Sequence, residues 1–302
     1  MAGGVKIVEV GPRDGLQNEK TVSTAVKIEL INGLTGAGIK NVEATSFVSP
    51  KWVPQLADAM EVLRQIQRRP GVCYSVLVPN QTGLEKALAC QVHEIVVFTA
   101  ASETFARKNL NCSIAQSFER FLPIAEIAKA NGLAMRGSIS CSFGCPYEGD
   151  VPIGSVIQVL VRLAALGCDT IDLADTIGVG TVSRVRELIC GAAREFPVEK
   201  LAGHYHDTYG QALANILASL EAGLNIFHSS VAGLGGCPFA PGAAGNVATE
   251  DVVYLLNGLG VETGINLDAL VSIGEFICGA IGRWNASKTG SALLAKRRCA
   301  ET

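Results

Sequence analysis

Short runs of β-branched and apolar residues alternate along the chain with longer stretches in which apolar positions recur every three or four residues. The short runs are VKIVEV from Val5, NVEATSF from Asn41, CYSVLV from Cys73, EIVVFTA from Glu94, LAMRGSISC from Leu133, TIDLADT from Thr170, LAGHYHD from Leu201 and IFHSSV from Ile226. Each has the length and make-up of a strand, and stretches such as 25–34, 118–130 and 211–223 have the period of an amphipathic helix. Alternation of this kind predicts parallel βαβ units. Eight of them in 302 residues predict an α/β fold, a (β/α)8 TIM barrel over about residues 5–258. A helix is expected near 249–257, and a C-terminal helical extension over about 265–302, of which 267–284 covers one end or side of the barrel. No linker or low-complexity tract divides the chain, so a single domain over 1–302 is expected. The competing arrangement, a doubly wound open sheet, calls for a glycine fingerprint after the first strand, where this chain reads GPRDGLQ.

Composition narrows the function classes. The chain is 48% hydrophobic and 18% charged, as a globular core requires. A net charge of −3 without a basic stripe argues against a nucleic-acid partner. No apolar run reaches the roughly 20 residues needed to span a bilayer, and no signal or transit pattern opens the sequence. A cytoplasmic protein with no membrane partner is the expectation. The ten cysteines are scattered, and they are expected to be reduced thiols. Cys73, Cys90, Cys168, Cys190 and Cys278 read as small buried residues, Cys299 as exposed, and Cys141 and Cys145 as structural loop residues near the pocket.

A barrel makes a further demand, because catalytic groups collect at the carboxyl ends of its strands. Polar residues do follow the apolar runs there: Arg13 and Asp14, Glu43, Asp172 and Asp175, His204 and His206, then Cys237. In GHYHDTYG the two histidines stand at i and i+2 on a strand, so both imidazoles face the interior. Burying two imidazoles without a shared partner is costly, which makes this pair a candidate metal site. Asp14 would reach the same point around a closed barrel, and Asn246 offers a carbonyl oxygen or else caps the helix that follows. Asp207 and Thr208 either orient ligands or start the next helix. Arg13 reads as an ion pair with Glu43 that keeps donors for a substrate oxygen.

VGPRDGLQNEK from Val10, TSFVSPKWVPQ from Thr45, CPYEG from Cys145, DTIGVGT from Asp175, HDTYGQALAN from His206 and SVAGLGGCPFAPGAAGN from Ser230 resemble the 3-hydroxy-3-methylglutaryl-CoA lyases over essentially the whole chain. The resemblance implies metal-dependent retro-Claisen cleavage of an acyl-CoA to acetyl-CoA and acetoacetate, a step of leucine breakdown and ketone-body formation. It implies Asp14, His204, His206 and Asn246 as ligands of Mg2+ or Mn2+, and Arg13 at the thioester carbonyl. Cys237 would be the catalytic thiol, with Glu43 and Asp175 lining the substrate pocket. Asp14 and His204 are both candidates for taking the hydroxyl proton. A homodimer is also implied. The alternative is a related barrel that condenses or cleaves 2-oxo acids, whose members usually carry a larger C-terminal region. Tyr205 between the histidines, Ala174 before Asp175, and His228, which stands where some relatives are acidic, depart from the family pattern. These departures are expected to leave the chemistry untouched.

Cys237 lies in a stretch rich in glycine, whose backbone freedom suits a loop that closes over the mouth and delivers a proton donor.

Overall fold

The computed structural model describes residues 4–236 and 245–300. Eight parallel strands close on themselves in sequence order: β1 (Lys6–Glu9), β2 (Asn41–Ser46), β3 (Cys73–Leu77), β4 (Glu94–Ala100), β5 (Ala134–Ser140), β6 (Thr170–Asp175), β7 (Leu201–Tyr205) and β8 (Ile226–Ser229). The ring is completed where β1 pairs with β8, Val8 opposite His228 and Glu9 opposite Ser229. This is the (β/α)8 barrel that the alternating pattern predicts.

Helices pack around it: α1 (Thr24–Gly36), α2 (Ala59–Gln65), α3 (Gln81–Ala89), α4 (Glu103–Leu110), α5 (Ile114–Ala130), α6 (Ile153–Leu166), α7 (Val182–Ala192), α8 (Ala212–Glu221), α9 (Thr249–Gly258), α10 (Leu267–Ile281) and α11 (Lys288–Ala300). Local chemistry sets several of their ends. Ser23, Asn80, Ser102 and Ser113 each cap a helix by accepting an amide hydrogen, and Ser113 forms a full capping box with Gln116. The apolar faces of these helices and the outer faces of the strands make one continuous core. Inside the ring a small apolar cluster of Val8, Val10, Ala202 and Ile226 is joined by a charged one built on Arg136. Barrel interiors are ordinarily filled with branched apolar side chains, so a buried arginine there marks a departure that needs partners.

The C-terminal helices lie against the side of the barrel near its first strand. Gly33 of α1 lets α10 approach closely: a Cβ there would meet Ile273 Cδ1 at 2.2 Å. Between α10 and α11 the chain ties itself to the segment after β8. Arg283 pairs with Glu19, its Nη2 donates to Gly233 O at 3.3 Å, and Ala286 N donates to Ala232 O at 3.1 Å.

No disulfide joins any of the nine described cysteines. Cys190 is exposed, contrary to the expectation of burial, because Val185, Leu188, Ile189 and Ala192 take the inward face of α7. Cys73 is only partly buried, at the strand's first position. Among the described residues no helix is long and apolar enough to cross a membrane.

Candidate metal centre and its surroundings

β1 does not end in a simple loop. Residues Gly11–Gly15 form a π-helical turn opened by Pro12, in which the amides of Arg13, Asp14 and Gly15 all converge on Val10 O. The buried Glu9 carboxylate holds the start of this turn, accepting Gly11 N at 2.8 Å, and also accepts Val231 N and Thr249 Oγ1. One acidic side chain thus binds the two ends of the barrel seam together and aims Arg13 and Asp14 at the mouth.

From the other side, β7 presents His204, and His206 follows just past its end, with the two rings 5.5 Å apart. Tyr205 between them points outward, where its hydroxyl lies 2.7 Å from Ser219 Oγ on α8. Asn246 arrives by backbone pairing. It forms an antiparallel bridge with His206, while Asp207 N donates to Gly245 O and Val247 N to Tyr205 O. Glycine is required on both sides of this return: a Cβ on Gly245 would lie 1.9 Å from Gly235 O, and Gly235 itself has φ +100°. The helix-capping reading of Asn246 does not hold, since the residue at the N-cap of α9 is Ala248. For Asp207 the helix-start reading holds: its Oδ1 accepts Ala212 N at 3.0 Å.

Asp14, His204 and His206 each offer a ligand atom, and the three atoms lie within 4.8 Å of one another. Asn246 Nδ2 donates to Asp14 Oδ2 at 2.8 Å, leaving Asn246 Oδ1 buried without a partner. His206 Nδ1 is likewise buried and unpartnered. Two orphaned acceptors beside a carboxylate and a second imidazole are what a divalent cation would satisfy, so this donor set of two nitrogens and two oxygens fits one. Burial pushes the Asp14 carboxyl up, but Arg13 and the two imidazoles outweigh it and hold the group well below the carboxylate range. Burial brings His204 down to about 4, against the pull of Asp14, and lowers His206 as well. All three groups are therefore deprotonated and ligand-ready at neutral pH.

Arg13 is partly buried beside them. Its Nε donates to Glu43 Oε1 and its Nη1 to Asp14 Oδ1 at 2.6 Å, so Nη2 remains for a ligand oxygen. Glu43 is wholly buried, and its second oxygen accepts Arg136 Nη2 at 2.6 Å. Burial alone would raise this carboxyl, but the two guanidiniums lower it. Asp175 is also fully buried at the end of β6. Its oxygens accept Val179 N and Gly180 N, shaping the turn after the strand, and burial raises it to about 6 against those amides. Cys237 lies outside the described residues.

Two groups beside the site have no role in the sequence expectations. Arg136 on β5 reaches across the interior to Glu43, Glu94 and Asp172, and His228 on β8 touches His204, Nδ1 to Nδ1, at 3.1 Å. His228, which was expected to leave the chemistry untouched, thus stands beside a candidate ligand, because the pairing of β7 with β8 sets it opposite His204. A lone arginine within an apolar strand and a histidine inside IFHSSV are the only signals in the sequence for them.

The model of the HMGL-like family matches residues 4–277. The chain is 56% identical over 293 residues to the 3-hydroxy-3-isohexenylglutaryl-CoA/hydroxy-methylglutaryl-CoA lyase of Pseudomonas aeruginosa, covering 97% of this chain and 98% of that protein. The crystal structure of hydroxymethylglutaryl-CoA lyase from Pseudomonas aeruginosa superposes with a TM-score of 0.95 at 55% identity, covering 97% of this chain and 98% of that one. An HMG-CoA lyase from Acinetobacter baumannii, solved in complex with coenzyme A and 3-methylmalate, superposes with a TM-score of 0.92 at 37% identity, covering 97% of each chain.

Proposed function

The chain belongs to the HMGL-like family, and from that membership and the donor set at its barrel mouth we propose that it is a carbon–carbon lyase. It cleaves 3-hydroxy-3-methylglutaryl-CoA to acetyl-CoA and acetoacetate. The observation that carries the reading is the convergence of Asp14, His204, His206 and Asn246, with Asn246 Oδ1 and His206 Nδ1 left unpartnered. These four residues would hold Mg2+ or Mn2+. When bound, the cation supplies Lewis-acid chemistry: it lowers the pKa of the substrate's tertiary hydroxyl and fixes its orientation.

The residues of the chain supply the rest. The hydroxyl gives up its proton, the bond between the carbinol carbon and the thioester α-carbon breaks, and the carbinol becomes the ketone of acetoacetate. The electron pair of that bond moves onto the thioester as an enolate. Arg13 holds the growing charge on the thioester oxygen through Nη2. Glu43 keeps the guanidinium in place from behind, and Asp175 lines the pocket by fixing the turn after β6. Asp14 and His204 are the candidate acceptors of the hydroxyl proton; a neutral imidazole has a single lone pair, so with that of His204 given to the cation the role falls to Asp14. Cys237 then protonates the enolate carbon from the glycine-rich loop. A thiol with an ordinary pKa of about 8.5 exchanges a proton near neutrality after only a modest shift. A homodimer in the cytoplasm completes the reading, and its support is the resemblance to the family.

The test is to supply purified, Mg2+-loaded protein with 3-hydroxy-3-methylglutaryl-CoA and, separately, with the isohexenyl analogue that appears in the name of the Pseudomonas relative. Acetoacetate and acetyl-CoA from the first substrate support the proposal. Cleavage of the isohexenyl compound alone would move the activity to the longer side chain, and cleavage of neither would refute it.

A further inference from the structure

His204 and His228 face each other across β7 and β8, in register and both buried in the barrel interior. Their Nδ1 atoms are 3.1 Å apart, and the rings meet edge to face at 70°. Two nitrogens at that distance share one hydrogen, so one ring donates and the other accepts. Which does which decides whether His204 is able to bind a cation.

Metal binding by His204 requires one arrangement. His204 Nε2 is the nitrogen turned toward Asp14, 3.9 Å from its Oδ2. For that nitrogen to present a lone pair, the hydrogen of His204 must sit on Nδ1 and be donated to His228 Nδ1. His228 then carries its own hydrogen on Nε2. That atom lies 3.4 Å from Asp172 Oδ1, a buried oxygen that no hydrogen bond satisfies. The other oxygen of Asp172 accepts Arg136 Nη1 at 2.9 Å, which anchors the carboxylate. Arg136 Nη1, which can only donate, lies 3.3 Å from His228 Nδ1 and 3.0 Å from Nε2: in this arrangement Nδ1 accepts it together with His204, and the contact with Nε2 is the one the opposite tautomer would use.

We propose that His228, backed by Asp172, is a positioning residue that holds His204 in the Nδ1–H tautomer, with Nε2 free for the metal. The inference rests on the metal-site reading above. Outer partners of this kind fix the ring and its protonation state without touching the ion, and losing one typically weakens metal affinity about 10–100-fold.

Titration of chelated, metal-free protein with Mn2+ alone, followed by calorimetry, tests this. His228→Leu is expected to weaken Mn2+ binding about 10–100-fold, while His228→Gln, whose amide oxygen can accept from Nδ1–H, recovers part of the loss. Unchanged affinity in a folded His228→Leu protein would overturn the proposal. The wild type and His204→Ala separate the two levels: no Mn2+ binding by the wild type would defeat the metal site itself. Binding that His204→Ala weakens and His228→Leu does not would defeat only the role of His228. The tautomer is also readable without any folded His228 variant. The chain has four histidines, so the ring 15N resonances of the Mg2+-loaded wild type are few, and single replacements assign them. His204 protonated on Nδ1 and His228 on Nε2 is the expected pattern, and His228 protonated on Nδ1 would contradict it.

Discussion

Asn246 Nδ2 donates to Asp14 Oδ2 across 2.8 Å, joining two residues 232 positions apart and turning the amide oxygen away from that bond into a buried, unpartnered position. The contact orients both side chains at once: the amide stops Asp14 from rotating, and the carboxylate decides which end of the amide is left unpartnered. Gln17 Nε2 steadies the other carboxylate oxygen at 3.1 Å. Asn246→Ala removes a ligand and a hydrogen bond to another, so Mn2+ affinity is expected to fall by about 10–100-fold or more, with the fold intact by circular dichroism. An unchanged dissociation constant would take Asn246 out of the centre.

Arg13 is expected to be irreplaceable by lysine. Its fork serves Glu43 and Asp14 while leaving Nη2 for substrate, and a single ammonium cannot reproduce three directions at once. Arg13→Lys should lower kcat by about 10²–10³-fold, the usual effect of losing one donor to a developing oxyanion. Steady-state kinetics check this, and a kcat near wild type would contradict the role.

Much of the barrel was legible because its signals are local. Each strand is a short β-branched or apolar run, and His204 and His206 share a face through the two-residue alternation of a strand. Other parts were not. Helix α4, ETFARKNL, is polar enough to pass for a loop, yet Ser102 caps it and Phe105 and Ala106 bury one side. Asn246 reaches its place only because residues 235 and 245 touch and the returning chain pairs with His206. That geometry depends on glycines, not on any periodicity. The Arg136, Asp172 and His228 cluster draws on three strands, and ring closure alone brings His228 beside Arg136. No spacing within one segment reports such a contact.

The buried carboxyls predict how stability depends on pH. Burial raises Glu250 to about 8, against the pull of the Ala232 amide, and Glu9 to about 7. Between the ordinary value of 4.5 and about 8, folded Glu250 keeps a proton that the unfolded chain releases. Stability therefore falls as pH rises through that window, by at most about 1.4 kcal/mol per pH unit for this group, and levels off above it. Glu250→Gln removes this term, so the fall in its Tm from pH 6 to 8.5 should be shallower than that of the wild type. Parallel Tm curves would show that Glu250 does not hold a proton in the folded protein.

Cys237→Ser is expected to leave Mn2+ binding and substrate affinity nearly intact while turnover drops by about 10²–10⁴-fold, the effect of losing a positioned acid. Single-turnover measurement with 3-hydroxy-3-methylglutaryl-CoA reads this directly. Near-normal turnover in the serine variant would remove the thiol from the mechanism.

The central claim is that one cation sits among Asp14, His204, His206 and Asn246 and that the cleavage is organised around it. Anomalous diffraction at the manganese edge, from crystals grown with Mn2+ after chelation, tests it most directly. The account predicts one strong peak within bonding distance of all four side chains. A manganese peak elsewhere, or none at this cluster under saturating metal, would contradict it.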